Sequence, residues 1–206
     1  ADAEPTVGLD RPDDDRFSGM VAAQIGIGSP ALRNRDAMPD FAKQYFAGRL
    51  SAQTKNAEGL LAILDDYFHM PATLDQFVGE WLAMPAHSQM RLGMSRLTGS
   101  LGETTTLGEY VWECQHKFRL TFGPLSMDDY QRMLPGGASL TALIAIVRTY
   151  IGDEYNWDVC LILDKSEVRP TLLGEFGQLG WTTWMSDQEP EHDPQDLYLD
   201  PMQEVI

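Results

Sequence analysis

Between Gly108 and Leu125 the chain reads GEYVWECQHKFRLTFGPL, in which apolar and polar residues alternate. Trp112, Cys114, His116, Phe118, Leu120 and Phe122 share one parity, and Val111, Glu113, Gln115, Lys117, Arg119 and Thr121 share the other. Successive side chains of a strand point to opposite faces, so this spacing predicts one long β-strand with a buried face and a wet face. Trp112, Phe118, Leu120 and Phe122 are expected together on the buried side. Gly123-Pro124 should end the strand, because proline removes a ladder donor and glycine permits a turn. Aromatic-rich surfaces of this kind also serve to hold assemblies together.

The residues before this strand read as helices. Asp13 to Ile25 carries Phe17, Met20, Val21 and Ala23–Ile25 at helical spacing, and Gly26 to Pro30 ends it. Met38 to Leu50 repeats the pattern with Phe41, Tyr45, Phe46 and Leu50. Asn56 to Met70 places Leu60, Leu61, Leu64, Tyr67 and Phe68 on one stripe, and Pro71 stops it. Leu74 to Leu82 is read as a further strand. After the long strand, Ser126 is set to cap a short helix that begins with Asp128 and Asp129 near its positive end, and Ser139 to Ile151 is another helix. Trp157 to Asp164 is apolar on both parities and should lie centrally in the sheet, with Leu172 to Met185 as the last sheet element. The fold class is therefore α+β: an N-terminal helical layer, then a mixed, largely antiparallel sheet with two further helices. The expected organisation is a flexible acidic start (1–12), a helical region (13–71), an α+β region (72–186) and an acidic tail (187–206).

Charge narrows the function. Fifteen basic against 31 acidic residues give a net charge of −16, which repels nucleic acid and anionic membranes and favours basic partner surfaces. The excess sits at the ends, with seven carboxylates and no lysine or arginine from Asp187 to Ile206, so this tail is expected to be mobile or docked on a partner. That placement argues against an acidic decoy of nucleic acid. Cys114 and Cys160 fall inside strands, which predicts free thiols and a reducing cytoplasm. No apolar run approaches the ~20 residues that span a bilayer. The first residue is not methionine, which predicts a processed chain or a fragment.

No catalytic constellation emerges. Cys114 and His116 would supply half a zinc site, but no second ligand pair is spaced to complete it, so no metal and no cofactor are expected. Leu134-Pro-Gly-Gly137 precedes a helix whose free N–H groups could meet an anion, which leaves open an anion- or nucleotide-binding enzyme using Pro135, Gly136 and Gly137. The phosphate-loop lysine is missing, and a turn and helix cap explain the residues more simply. Asp65 and Asp66, adjacent on a helix, do not face one another and make a poor acid–base pair.

Several short motifs occur together in one order: Asn56 to Leu61 leading to Asp66-Tyr-Phe68, Gln76 to Leu82, Arg91-Leu-Gly93, Leu107-Gly108 to Trp112, Lys117-Phe-Arg119, Gly123-Pro-Leu125, Leu134 to Gly137, Trp157-Asp-Val159 and Leu179 to Trp184. In these the chain resembles the TssG (ImpH/VasB) family, a baseplate subunit of the bacterial type VI secretion system. The likeness runs from roughly Phe17 to Met185 and covers the later portion of the family sequence, with Glu109 and Cys114 departing from its pattern. The resemblance implies a cytoplasmic, non-enzymatic wedge component that joins TssF-like and TssK-like proteins and meets sheath-connecting and hub subunits indirectly. For the residues that touch a partner, the expectation falls on Leu179, Gly180, Trp181 and Trp184. There a glycine-bearing turn joins two large aromatics just before the acidic tail.

Overall fold

The computed structural model describes residues 16–91, 93, 96–171, 177–184 and 190–201. The expected flexible start at 1–12 lies outside them. Four helices come first: α1 (Arg16–Gln24), α2 (Asp40–Tyr45), α3 (Ala47–Leu50) and α4 (Ala57–Phe68). Strands β1 (Ala72–Gln76) and β2 (Glu80–Ala83) follow, then a short helix α5 (Arg96–Gly99) and strands β3 (Tyr110–Glu113) and β4 (Lys117–Leu125). Helices α6 (Met127–Arg132) and α7 (Ala138–Ile151) precede β5 (Asn156–Leu163) and β6 (Leu197–Leu199). The main sheet runs β1-β4-β5-β6, with the β4–β5 pair parallel and the other two antiparallel, and β2 and β3 form a separate two-stranded ribbon. The architecture is α+β, with the helical layer ahead of the sheet.

The period of two in the long strand places the core. Phe118, Leu120, Phe122 and Leu125 of β4 are buried, and Trp157, Val159, Leu161 and Leu163 of β5 join them in one cluster. Leu60, Ile63 and Leu64 of α4 and Leu140, Leu143, Ile146 and Val147 of α7 complete that cluster. Phe118 and Trp157 stack with centroids 6.1 Å apart, and Phe68 meets Phe122 edge-on at 6.2 Å. Strand β5 is buried on both faces over most of its length, as its apolar run requires of a central strand.

Caps set the helix starts. Asn56 Oδ1 accepts from the Gly59 N–H at 2.8 Å at the head of α4, and Ser126 Oγ accepts from the Asp129 N–H at 3.3 Å at the head of α6. Asn56 is also tied to α7, since the Tyr150 hydroxyl donates to its carbonyl at 3.2 Å. Asn56→Ala is expected to cost about 1–2 kcal/mol, read as a lower urea midpoint at unchanged slope.

Several expectations need correction. The stretch from Gly108 to Leu125 is two strands in two sheets: Cys114, Gln115 and His116 interrupt it, and the Gln115 N–H donates to Glu113 Oε1 at 2.8 Å in place of a ladder bond. Trp112 is consequently 55% exposed rather than on the buried face with Phe118. Gly123-Pro124 does not end β4; the strand passes through it, by a cis peptide and a register shift, to Leu125. Leu74 to Leu82 is likewise split, because Phe77 adopts a left-handed φ of 60° between β1 and β2. Met38 to Leu50 is two short helices that begin after Pro39, and its buried face is rotated. Phe41 and Tyr45 are exposed while Lys43 is buried, held by Asp36 at 2.8 Å and Asp40 at 3.1 Å. Phe17 and Met20 of α1 are also exposed, and Ala22 takes the buried position.

Among the described residues the last strand of the sheet is β6. From the expected element Leu172 to Met185, residues 172–176 and 185 lie outside the described residues, and Trp184 contributes a lone bridge to Pro170. Strand β6 comes from within the acidic tail: Leu197, Tyr198 and Leu199 pair with Leu161, Cys160 and Val159, and Leu199 is buried in the core. A short apolar triplet inside a charged stretch was enough to dock there.

Candidate functional site

The β2–β3 ribbon presents a cluster of exposed aromatic side chains. Trp81 stands opposite Trp112, with ring centroids 5.3 Å apart in an edge-on arrangement, and the pairs Leu82–Val111 and Ala83–Tyr110 follow. Alternation puts Trp81, Trp112 and Tyr110 on one face of the ribbon. They are 65%, 55% and 56% exposed. The Trp112 ring lies over Gly79, where a Cβ would collide with it, so the flat backbone at Gly79 is what seats that ring.

Two strands alone are marginal in water, and this pair begins badly, with Glu80 directly opposite Glu113. Neighbours resolve that repulsion. Glu80 accepts from Asn156 Nδ2 at 2.8 Å and pairs with Lys117 at 3.3 Å, while Glu113 lies 3.5 Å from His116 Nδ1. Lys117 also meets Asp158 at 3.2 Å, and Asp158 takes two bonds from Arg119, at 2.6 and 2.8 Å. Arg119 in turn lies over the Tyr198 ring at 4.5 Å. One charged network thus ties the ribbon, β4, β5 and β6 together. Burial alone would raise the Asp158 pKa, but hydrogen bonds from Arg119 and Lys117 and their charges override it and hold the carboxyl below its usual range. Burial would lower the Lys117 pKa, and Asp158 and Glu80 reverse the sign and raise it.

Sequence reading missed this junction. It put Lys117 and Arg119 on a solvated face and gave Asp158 no role. The available signal was Asp158 itself, a single carboxylate in an otherwise apolar central strand, which must find a cation to be buried.

The segment expected to touch partners is placed differently from the ribbon. Leu179 is 94% exposed at the tip, beside Gly180 with φ of 85°. Trp181 and Trp184 are half-buried and both pack against the core cluster. The Tyr130 hydroxyl donates to the Trp181 carbonyl at 3.2 Å, the Thr171 hydroxyl donates to the Trp184 carbonyl at 3.0 Å, and the Tyr130 and Trp184 rings lie 6.4 Å apart. The two tryptophans therefore brace the loop, and Leu179 and Gly180 project from it.

The remaining candidates are dispersed. Cys114 is exposed, Cys160 is fully buried on β5, and among the described residues no three His, Cys, Asp or Glu side chains converge on a metal position. At the Pro135-Gly136-Gly137 turn the Gly137 N–H is already bonded to the Leu134 carbonyl at 2.8 Å, and a Cβ on Gly137 would strike the Arg132 carbonyl. The hollow beside it, reaching Gln131, Gln178 and Thr182, is lined by no lysine or arginine among the described residues. No described helix is long and apolar enough to cross a membrane.

Two solved structures share this fold. One is the TssK-TssF-TssG baseplate subcomplex of a type VI secretion system, seen by cryo-electron microscopy, with a TM-score of 0.69 at 19% identity over 85% of this chain and 74% of that one. The other is the baseplate complex from the type VI secretion system, with a TM-score of 0.57 at 18% identity over 85% of this chain and 51% of that one. No curated protein matches the chain. Residues 1–186 match the family described as Type VI secretion, TssG. A match over that much of the sequence, joined to a shared fold, makes this chain a member of the TssG family of type VI secretion proteins.

Proposed function

We propose that this chain is a non-catalytic scaffold of the type VI secretion baseplate, working in the cytoplasm and joining TssF-like and TssK-like subunits through exposed aromatic surfaces. The observation that carries this reading is the Trp81–Trp112 pair with Tyr110, three large aromatics left in water on a rigidly tethered ribbon. Contiguous apolar surface of this kind marks a contact site, and tryptophan is the side chain most enriched among binding anchors. Exposed Glu109 adjoins Tyr110 at the edge of this face, which favours a facing surface that is apolar at its centre and basic at its edge. The net charge of −16 adds to that preference over the whole molecule. The segment Leu179, Gly180, Trp181 and Trp184 forms a second contact, in which Leu179 reaches the partner and the tryptophans hold the loop in shape. Sheath-connecting and hub subunits are met indirectly through these partners.

The test is co-purification with TssF and TssK of the same system. Trp81→Ala and Trp112→Ala are each expected to weaken capture by about 2 kcal/mol, roughly thirtyfold, while leaving thermal unfolding within a few degrees of the parent. Leu179→Asp should weaken it at the second contact, with Trp181→Ala and Trp184→Ala loosening that loop as well. If every folded variant captures both partners as the parent does, the interface lies elsewhere. A nucleotide screen by thermal shift bears on the enzyme alternative, since a ligand of the Pro135-Gly136-Gly137 turn would raise the melting point. No rise is expected.

A further inference from the structure

A cavity of about 230 Å³ opens where α4, β1, β4 and α7 meet, on residues other than the ribbon tryptophans and the Leu179–Trp184 segment. Its floor is apolar, built by Leu60, Leu74 and Phe118, and Tyr150 and Tyr155 stand at its side. Phe77 forms part of the rim from a backbone φ of 60°, a left-handed conformation that is unfavourable for a bulky residue and that persists where the surroundings impose it. Here the Val78 N–H, bonded to the Lys117 carbonyl at 3.0 Å, fixes the turn that presents the ring.

The charge of this cavity is opposite to that of the molecule. The chain carries 31 acidic residues, yet among the described residues no acidic side chain lines the cavity, while Lys55 and Lys117 both do. Lys117 is neutralised by Glu80 and Asp158. Lys55 is not: its ammonium donates to the backbone carbonyls of Leu50, at 2.6 Å, and Arg49, at 3.4 Å, lies 4.9 Å from the centre of the Tyr150 ring, and forms no ion pair among the described residues. Burial lowers its pKa, so a carboxylate arriving beside it would be welcomed. The neutral amides of Gln76 and Gln115 complete the lining without adding charge.

We propose that this cavity receives an aromatic side chain carrying a carboxylate close behind it, from an acidic, aromatic segment of a partner protein, with the ring on Leu60 and Phe118 and the carboxylate at Lys55. The volume suits one large side chain rather than a cofactor or a drug-sized molecule. The occupant's charge is opposite to that of the basic-rimmed surface suited to the ribbon, so one partner surface does not serve both sites.

The minimal probe is N-acetyl-phenylalanine, with its neutral amide as control, each titrated into the full 206-residue chain and followed by backbone amide shifts in near-physiological salt. Millimolar binding is expected for so small a ligand, with shifts at Asn56, Gln76, Phe77 and Gln115 and at least about threefold tighter binding of the acid than of the amide. A molecule of net charge −16 repels the acid overall, so this preference can only come from a local cation. Lys55→Met should make the two probes equal and Lys55→Arg should keep the preference. Gln115→Glu, which leaves the Lys55 hydrogen bonds intact, should weaken the acid alone by about threefold or more. Shifts scattered over the surface, equal binding of acid and amide, or a preference surviving both Lys55→Met and Gln115→Glu would each overturn the assignment. If Lys55→Met fails to fold, the Gln115→Glu result decides.

Discussion

Replacing Phe122 with alanine is expected to remove about 3–5 kcal/mol of folding stability. The side chain is fully buried on β4, edge-on to Phe68 of α4, in the layer that joins the sheet to the helices. Truncation removes its transfer free energy and leaves a void that two packed helices cannot close. Since whole domains of this size are stable by only about 5–15 kcal/mol, the variant should unfold at a much lower urea concentration. Phe118→Ala, at a position 7% exposed but stacked on Trp157, should fall near the lower end of the same range. Trp112→Ala should cost well under about 1 kcal/mol, because its ring is mostly in water. Equal losses at Phe122 and Trp112 would show that the ribbon face is covered by the chain itself.

The second large effect is expected at Asp158. Asp158→Ala strands Arg119 without its carboxylate and leaves Lys117 with Glu80 alone, at a site where Asp158 is 7% exposed. Breaking a fully buried pair costs about 3–5 kcal/mol; with Arg119 and Lys117 partly open to water, about 2–3 kcal/mol is expected. The double variant Asp158→Leu with Arg119→Leu should recover much of that loss, because no unpaired charge remains. The same carboxylate sets an acid limb. Its folded pKa lies below the unfolded value of about 3.9, so its contribution is complete above that value and is lost as pH falls through the lower folded pKa. Urea midpoints of parent and Asp158→Ala should therefore converge on acidification. An unchanged difference between pH 6 and pH 2 would show that Asp158 is not the group responsible.

These two sites mark where sequence reading succeeded and where it stopped. Phe118, Leu120 and Phe122 were placed on a buried face from spacing alone, since alternation is a local property of an extended chain and no knowledge of partners is needed. The α4 stripe, the Ser126 cap and the central position of β5 were legible for the same reason. Asp158 and its cations were not, because Asp158 lies 39 residues beyond Arg119, and farther still from Lys117, on the neighbouring strand of a parallel pair. Spacing along the chain says nothing of which strand comes to lie beside which. The rotation of α2 has a local origin instead: Asp36 and Asp40, close before Lys43 in the chain, pair with its buried ammonium, while Phe41 and Tyr45 turn to water.

By itself, then, the sequence determined the fold class, the core face of β4, the main helices after Leu50 and, through an ordered series of short motifs, the TssG family. All of these rest on periodicity, local capping or linear order. Tertiary structure alone decided that Trp112 leaves the core strand to pair with Trp81, that Leu197–Leu199 of the acidic tail completes the sheet, and that Trp181 and Trp184 brace a loop whose tip is Leu179. Each depends on a contact between residues far apart in the chain. The closure of such contacts is set by how apolar area and charge are shared among all the elements at once, not by any one of them.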